Sequence, residues 1–484
     1  MRFVPALLLI SIFAGCLADD EDPAQAVDDV IRDEADRFLV QEHDHFDASL
    51  HRASRNLEVV GYSNGVDDGG DPDDIPADMV HTELAVQGGY VYMARASGVD
   101  PTATVPLPIC GEVPGNDPGR GGFSIIDVTN PAAPRVAGTY LAMGGADIEV
   151  DRTGDVVFFA TQRNCITEIA GTLQVGQDPS DVLPRGIHIV DVSDKRAPEL
   201  MSYLPLPING PHTITYHDGP TGEFLIVSTY DLIQDPITSA LRAAPVTQRV
   251  LIYEILRDTS GDELVLVPVN TFSLAEAGSG DRLVFPHDAI PYEHPTAGWL
   301  LNVAYWDEGL QLLDFNDPRA PLTVLDEYLD FSPSSRNSLH QVRSFAAPIG
   351  DLHVTVTEPE IISADETGQI TFLDTTDPHD IRRLGHWTLP GDLVTTDFDF
   401  SPHNFDLADG KVFLAHNHAG LWVIDVGSEE KVQDPQSTGY FLDVRQRTDS
   451  PRFQPWFWGA FEDNGLIYTV DLASGLYVLR YTGP

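Results

Sequence analysis

The chain has little cysteine and little positive charge for its length. Its 484 residues include 3 cysteines, and 28 Lys+Arg stand against 75 Asp+Glu, for a formal net charge of -47. This sign excludes nucleic acid and anionic membrane surfaces as partners, because both are themselves negative. The acidic residues are dispersed and very few of the basic ones are lysine. That pattern favours a halophilic source, where salt screens self-repulsion at short range.

Long apolar runs are also scarce. Beyond the N-terminus no segment reaches the roughly 18 apolar residues of a membrane helix. The N-terminus itself has an apolar core from Val4 to Phe13, then small residues, Cys16 and an acidic run. This pattern is typical of a secretory signal, and the small residues before the cysteine resemble a prokaryotic lipobox.

We therefore expect residues 1–16 to be a lipoprotein signal peptide and Cys16 to carry lipid. The protein would then be exported and held on the outer face of the cell membrane by that lipid. Cleavage as an ordinary signal peptide, with Cys16 incidental, is the alternative, and export holds in both cases.

The other two cysteines, Cys110 and Cys165, are predicted to form a disulfide, since export places them in an oxidising compartment. A Cys-Cys metal site is the less favoured alternative. The sequence has no serine elbow, no phosphate-binding glycine loop and no Cys-x-x-Cys pair. Their absence disfavours nucleophilic, nucleotide and thiol-redox chemistry.

Two acidic stretches read as solvated linkers. Residues 17–56 are acidic and Ala-rich, with a weakly helical stretch from Ala26 to Val40, and are predicted to be a tether. The stretch from Asp67 to Asp78 lacks the regular ligand spacing of a calcium loop, so a linker is the better interpretation.

From residue 57 onward the sequence repeats itself. Each unit has a glycine, alternating β-branched residues, an aspartate, a turn and another strand. The clearest copies are GFSIIDVTNPAAPRVAGTY from Gly122, GIHIVDVSDKRAPELMSY from Gly186, GLQLLDFNDPRAPLTVLDEY from Gly309 and GQITFLDTTDPHDIRRLGHW from Gly368. Weaker copies begin at Gly420 and Gly475, and RVLIYEIL from Arg249 is a degenerate one. Seven units result.

Each unit is expected to hold four strands. The Asp-Pro-x-x-Pro turn separates two of them, and a second hairpin such as HTELAVQGGYVYMAR from His81 lies upstream. Four-stranded units of this size are those of propeller blades. The last unit lacks its fourth strand, whereas LEVVGY from Leu57 resembles one. We therefore predict an all-β fold, a seven-bladed β-propeller over residues 57–484, closed by the N-terminal outer strand so that no sheet edge stays open.

A second periodic signal lies in the inner hairpins, where a fixed residue precedes the turn glycine by seven positions. The pairs are His81 with Gly88, Asp147 with Gly154, His212 with Gly219, His403 with Gly410 and Trp458 with Gly465, and His287 and His340 start the same strand in the remaining units. The first strand of a blade lines the central channel, so five histidines are predicted to form a ring at its mouth.

Converging imidazoles are typical ligands of copper, iron or zinc, so His81, His212, His287, His340 and His403 are predicted metal ligands. Nearby acids would orient the rings, with Asp288, Asp231, Asp307 and Glu308 as the candidates, and His416 and His418 are further candidate ligands. The alternative is structural: each histidine holds neighbouring blades in register through a hydrogen bond.

The rim also carries long loops and an aromatic cluster. Loops at about 97–121, 162–185 and 230–248 are predicted to open onto the same rim and to form a partial lid. The aromatic run from Phe453 to Trp458 fits either inner-strand core packing or, less well, a stacking platform for a sugar.

The units containing IIDVTNPAAP, HIVDVSDKRAP and LLDFNDPRAP resemble the LVIVD repeat, a propeller repeat of archaeal and bacterial surface proteins. This resemblance runs from about residue 57 to the C-terminus and implies the fold and the surface location. GPHTITYHDGPTGEFLIVSTYD from Gly210 and FPHDAIPY from Phe285 are similar to strand starts of the selenium-binding protein and methanethiol oxidase family. Some members of that family have a copper-linked activity, which implies a ligand role for His212 and His287.

Two functions are expected from these patterns. The favoured one is a surface binding or scaffold module, whose rim loops bind a partner protein or a polysaccharide. The other is a metal-dependent oxidoreductase or hydrolase with its site at the His-lined rim. The fold alone does not decide between them.

Overall fold

The computed structural model describes the blades and part of their connections. The described residues are 23–35, 37, 39, 52–66, 79–97, 121–142, 145–161, 166–169, 172–175, 185–206, 210–229, 232–234, 241–243, 248–258, 264–274, 284–329, 338–360, 368–390, 400–443, 445 and 455–484. Cys16, Cys110 and Cys165 lie outside them, so the lipid anchor and the disulfide stay predictions. Within these ranges no helix is long and apolar enough to cross a membrane.

Seven antiparallel sheets form the blades of a β-propeller, as predicted. The N-terminal elements are α1 (Pro23–Ala35), β1 (Ser54–Arg55) and β2 (Leu57–Ser63). Blade 1 contains β3 (Met79–Gln87), β4 (Tyr90–Ser97), β5 (Gly122–Asp127) and β6 (Arg135–Tyr140). Blade 2 contains β7 (Gly145–Val150), β8 (Val156–Thr161), β11 (Gly186–Asp191) and β12 (Glu199–Pro205). Blade 3 contains β13 (Thr213–Gly219), β14 (Gly222–Thr229), β17 (Arg249–Arg257) and β18 (Leu264–Phe272).

The C-terminal half supplies the other four blades. Blade 4 contains β19 (Pro286–His294), β20 (Gly298–Tyr305), β21 (Gly309–Asp314) and β22 (Thr323–Tyr328). Blade 5 contains β23 (Leu339–Ser344), β24 (Val354–Pro359), β25 (Gln369–Asp374) and β26 (Arg382–Thr388). Blade 6 contains β27 (Pro402–Ala408), β28 (Lys411–His416), β29 (Gly420–Asp425) and β30 (Gln436–Phe441), and the short helix α2 (Glu429–Gln433) precedes β30. Blade 7 contains β31 (Phe457–Asp463), β32 (Leu466–Asp471) and β33 (Gly475–Tyr481).

The N-terminal strand closes the ring, which confirms the predicted closure. β2 pairs antiparallel with β33, with Leu57 opposite Tyr481 and Ser63 opposite Leu476, and so supplies the fourth strand of blade 7. The preceding strand β1 pairs with β30 and adds a fifth strand to blade 6. Hydrogen bonds between chain ends thus hold two adjacent blades together.

The repeated aspartate has a local structural role. In blade 1 the Asp127 carboxylate accepts a hydrogen bond of 3.0 Å from the backbone N–H of Thr129. This is an Asx turn, which ends the third strand and starts the connection to the fourth. The equivalent aspartates 191, 314, 374 and 425 make the same contact two residues on. The glycine before the third strand is needed at Gly122, where φ is 99° and a Cβ atom would collide with the carbonyl oxygen of Tyr140.

The core lies between adjacent blades rather than inside one. The second strand β8 is buried along its whole length, because blades 1 and 3 cover its two faces. Phe123 of blade 1 meets Phe159 of blade 2 with ring centres 5.5 Å apart, and both are fully buried. Burial of such a side chain contributes about 1.5–3 kcal/mol, so each blade is stabilised mainly by its neighbours.

Part of the segment predicted to be a solvated tether packs on the propeller. Helix α1 lies along β30 of blade 6, with Ile31 and Ala35 buried, and Leu39, beyond the end of the helix, is buried as well. The Asp28 carboxylate accepts a hydrogen bond of 2.5 Å from the backbone N–H of Ser437. The acidic composition suggested solvation, but the apolar residues recur on one helical face, and that face is the one covered.

A small additional sheet connects two loops. It contains β9 (Ile166–Ile169), β10 (Thr172–Val175), β15 (Leu232–Gln234) and β16 (Leu241–Ala243). β9 and β15 pair in parallel, so the connections between the second and third strands of blades 2 and 3 are joined by backbone hydrogen bonds. These are two of the loops predicted to form a lid.

Candidate metal centre

The inner strands carry β-bulges near their first residues. The bulge of blade 4 contains His287 and Asp288, and that of blade 6 contains His403 and Asn404. In blade 5 the register shifts around His340. A bulge adds a residue and re-aims the side chains beside it. Here it brings imidazoles from successive blades together.

Four of the five histidines predicted at the channel mouth form a continuous row. The Nε2 atoms of His212 and His287 are 2.7 Å apart. Ring centres are 3.9 Å apart between His287 and His340, and 4.3 Å apart between His340 and His403. Trp458 extends the row, with its ring centre 3.9 Å from that of His403. Imidazoles of blades 3, 4, 5 and 6 therefore share one site.

His403 has a defined tautomer. Its Nδ1 lies 2.6 Å from the carbonyl oxygen of Trp458. A carbonyl oxygen only accepts, so Nδ1 carries the hydrogen and Nε2 keeps its lone pair while the ring is neutral. Burial, and then the charge of His340, holds the pKa of His403 well below its usual value, so the ring is neutral at ordinary pH. Neutral imidazole is the form that binds metals.

His340 is paired with a buried carboxylate. Its Nδ1 lies 2.5 Å from Glu358 Oε1, and both side chains are almost completely buried. Burial alone would lower the pKa of His340, but the charge and the hydrogen bond of Glu358 outweigh it and raise that pKa to about 9. A carboxylate on Nδ1 orients the ring and strengthens Nε2 as a ligand, an arrangement common behind metal-bound histidines.

Two histidines and a carboxylate come close enough to share an ion. Ligand atoms of His287, His340 and Glu360 all lie within 4.8 Å of one another, with the two histidines buried and Glu360 half-buried. Two imidazoles and a carboxylate are a donor set suited to zinc, iron or copper. Of this group, Glu358 and Glu360 were not predicted from the sequence.

Buried carboxyl groups of the inner strands interact electrostatically with one another and with the histidine row. Asn404 Nδ2 donates a hydrogen bond of 2.5 Å to Glu83 Oε1. Burial, and then the charge of Asp147, raises the pKa of Glu83 well above its usual value. Burial also raises the pKa of Asp147 to about 7 and that of Asp288 above its usual value. Asp288, a predicted orienting residue, has Oδ1 3.7 Å from His287 Nδ1, which is beyond a hydrogen bond.

His81 is one residue out of register with the row. The inner hairpin of blade 1 turns at Gly88 and Gly89, between the paired residues 87 and 90, and both glycines have positive φ. In blade 6 the pair 408 and 411 encloses the turn, so Gly410 corresponds to Gly89. The residue seven positions before Gly89 is Thr82, so Thr82 and not His81 is equivalent to His403. A shift of one residue along a strand turns the side chain to the opposite face.

The imidazole of His81 therefore points into the interface between blades 1 and 7. A Cβ atom on Gly65 would lie 2.9 Å from His81 Cε1, which places this ring under the turn that follows β2. It is completely buried. The structure thus brings His212, His287, His340 and His403 together and separates His81 from them.

The remaining candidates lie elsewhere. Asp307 and Glu308 are in the turn between β20 and β21, and Asp231 is outside the described residues. His418 packs edge-on against Trp456 with ring centres 4.3 Å apart, and His416 lies against Trp387 at 6.4 Å. Trp456 and the adjacent Phe457 are buried, as the core-packing interpretation of the aromatic run predicts.

Comparison with known proteins identifies one repeat family. Residues 119–142 match the LVIVD repeat, and this match covers β5, the Asx turn and β6 of blade 1. No curated protein matches the chain.

The solved structures to which the chain is similar are distant in sequence. A functionally unknown protein from Desulfotomaculum acetoxidans DSM 771 is 12% identical, with a TM-score of 0.46 over 77% of this chain and 89% of that one. Saccharomyces cerevisiae Sqt1 is 9% identical, with a TM-score of 0.46 over 82% of this chain and 81% of that one. A putative 6-phosphogluconolactonase from Bacteroides fragilis NCTC 9343 is 12% identical, with a TM-score of 0.45 over 86% of this chain and 97% of that one. At this identity and TM-score these resemblances carry no information about the activity of this chain.

Proposed function

We propose that this protein is an exported, lipid-anchored β-propeller that binds one divalent transition metal ion at its channel mouth. The observation that carries the proposal is the grouping of His287, His340 and Glu360, whose ligand atoms lie within 4.8 Å of one another. His212 and His403 extend the set on either side. Copper, iron and zinc are the metals that such ligands suit.

The hydrogen bonds at Nδ1 leave Nε2 of two histidines as the atom that would bind a metal. His403 and His340 each present Nδ1 to an acceptor, the Trp458 carbonyl and the Glu358 carboxylate. Nε2 of the neutral His403 ring therefore keeps its lone pair, whereas His340, with its pKa raised to about 9, would bind a metal through Nε2 only after losing a proton. The bond from His403 to Trp458 also joins blades 6 and 7, so it serves the structural alternative as well, and metal analysis separates the two.

The surroundings fit a low-dielectric centre. Trp306 lies 5.6 Å from the His287 ring and stacks on Phe285 at 5.1 Å, and all three side chains are buried. A metal bound here supplies Lewis-acid or redox chemistry, and the corresponding enzyme class is a metal-dependent oxidoreductase or hydrolase. The chain's own part is to orient the ligands, exclude water and hold protons on Glu83 and Asp147, the channel carboxyl groups with raised pKa values.

Elemental analysis of the untagged protein tests the metal site. We expect about one equivalent of copper, iron or zinc in the wild-type protein, and at least about tenfold less affinity in His287→Ala, His340→Ala and Glu360→Gln. The matched control is His379→Ala, since His379 is exposed on blade 5 and its metal content should equal that of the wild type. Metal-free wild-type protein that takes up no added ion would refute the site.

The lipid anchor rests on the N-terminal signal and is tested separately. Cys16→Ser should move the protein from the membrane fraction into the soluble fraction or block its processing. Cys110→Ser and Cys165→Ser, the matched controls, should stay with the membrane. A Cys16→Ser protein that still partitions with membranes contradicts lipidation.

Surface binding is a second candidate function, and the additional sheet favours it. This sheet, β9, β10, β15 and β16, links the loops of blades 2 and 3 into one unit, which suits recognition of a polysaccharide at the rim. Glycan-array binding of metal-free protein, compared with a variant whose strands β9 and β10 are replaced by Gly-Ser linkers, tests it. Binding lost in the variant supports a glycan site, whereas no binding by the wild type removes it.

A further inference from the structure

Arg95 is a buried cation without an acidic partner among the described residues. It lies on β4 and is 4% exposed. Its Nη2 donates to the carbonyl oxygen of Gly121 at the long distance of 3.5 Å, and its Nε has no acceptor within the described part of the chain. This is unexpected in a chain where Asp+Glu number 75 against 28 Lys+Arg.

An unpaired buried charge is unfavourable, because burial removes water and nothing replaces it. Burial lowers the pKa of Arg95 to about 10, so the guanidinium stays charged at neutral pH. A buried arginine of this kind normally faces an anion. Its planar N–H groups match the two oxygens of a carboxylate or another oxyanion.

His81 lies beside Arg95. The two residues are directly paired across β3 and β4, so their side chains share a face of blade 1. Burial, and then the charge of Arg95, lowers the pKa of His81 to about 3, so its ring is a neutral hydrogen-bonding group.

A turn from the N-terminal strand covers this position. Ser124 Oγ of blade 1 donates a hydrogen bond of 2.6 Å to the carbonyl oxygen of Gly65, which holds the turn in place. The covering turn follows β2, the strand of blade 7, and Arg95 lies near the C-terminal end of β4. The position is therefore at the rim between blades 1 and 7.

We propose that Arg95, with His81 beside it, binds a small oxyanion, the carboxylate group of a ligand or a free carboxylate, at the rim between blades 1 and 7. The site does not depend on the proposed metal centre, since neither residue belongs to the row formed by His212, His287, His340 and His403.

Calorimetric titration of the metal-free full chain with sodium acetate tests the proposal, with ionic strength held constant by sodium chloride. We expect saturable binding to the wild type and at least about tenfold weaker binding to Arg95→Met, since a charge-assisted pair is lost. Arg95→Lys should keep part of the affinity. The matched control is Arg135→Met on β6 of the same blade, whose side chain is 78% exposed, and it should bind as the wild type does.

Thermal unfolding provides a second measurement. Acetate that binds only the folded state raises the melting temperature with concentration, and this rise should be present in the wild type and absent in Arg95→Met. In chloride alone Arg95→Met should melt no lower than the wild type, since it removes an unpaired charge. No acetate binding by the wild type, or equal binding by Arg95→Met, overturns the proposal even if one variant folds poorly.

Discussion

His212 and His287, on adjacent blades, share one hydrogen bond between their Nε2 atoms, which are 2.7 Å apart. One of these nitrogens carries a hydrogen and the other accepts it, so the two rings are opposite tautomers at this point. Their planes are inclined by 79°. A metal ion that takes both rings as ligands must displace this shared hydrogen.

The neutral histidines should make stability fall in acid. Burial lowers the pKa of His212 and of His287 well below the usual value of 6.5, so the folded state cannot take up protons that the unfolded chain binds. Their contribution is therefore present above about pH 6.5 and is lost as pH falls below it, by up to about 1.4 kcal/mol per pH unit for each ring. Chemical denaturation of metal-free protein from pH 7 to pH 5 measures this slope. The dependence of the unfolding free energy on pH should be shallower in His212→Gln and unchanged in the control His379→Gln. A His212→Gln protein with the wild-type slope contradicts the expectation.

Metal binding should release a proton from the His340–Glu358 pair. The pKa of His340 is raised to about 9, so below that pH a metal that binds Nε2 must displace a proton. Calorimetric zinc titration at pH 8, in buffers of different ionisation enthalpy, should give about one more proton released by the wild type than by Glu358→Gln. The glutamine keeps an acceptor for Nδ1–H but removes the charge that raises the pKa. Equal proton release by the two proteins would show that Glu358 does not set the protonation of His340.

Removing the helix contact at Asp28 should destabilise the protein. Asp28→Ala leaves the buried backbone N–H of Ser437 without its acceptor, at a cost of about 1–3 kcal/mol. Asp33→Ala, on the exposed side of the same helix, is the control and should change stability by less than about 0.5 kcal/mol. Denaturant titration compares the two, and equal midpoints would indicate that the helix does not dock in solution.

Deleting the closing strand should lower the melting temperature by several degrees. Without residues 57–63, β33 loses its partner and blade 7 presents an open edge. A deletion of equal length inside the acidic segment 67–78 removes a predicted linker only and serves as the control. Scanning calorimetry together with light scattering should find earlier melting and aggregation only in the first variant. Identical melting of both deletions contradicts the closure.

The fold was predictable because its signals repeat. Asp127 and its equivalents mark the same turn in several blades, and one degenerate copy does not hide the period. Helix α1 was not predicted to pack on the propeller. Amino-acid composition counts the exposed and the buried residues of a helix equally, so the acidic exposed face hid the apolar buried one. Burial of Ile31 and Ala35 depends on blade 6 being present, which no local pattern shows.

The candidate site was predictable only in part. Four histidines were found from their spacing, but the two adjacent glycines at 88 and 89 left two ways to count, and His81 was counted from the wrong one. Glu358 lies at the end of β24, and Glu360 lies just beyond it. The one sequence signal there is an acidic residue in a strand of β-branched residues. Their approach to His340 depends on the bulge and on pairing between strands, which spacing along one strand does not contain.

The pairing of the first strands with the last blades sets the order of assembly. Asp28 and Ser437 are 409 residues apart in the chain, and a comparable length of chain separates β2 from its partner β33. Contacts of such sequence separation form late and slow the folding of the whole chain. Blade 6 gains its fifth strand only once β30 has been made, and blade 7 is completed only once β33 has been made, so closure of the ring comes last. A chain that lacks β33 would leave the early-made strand β2 unpaired, and this exposed strand would be open to proteolysis.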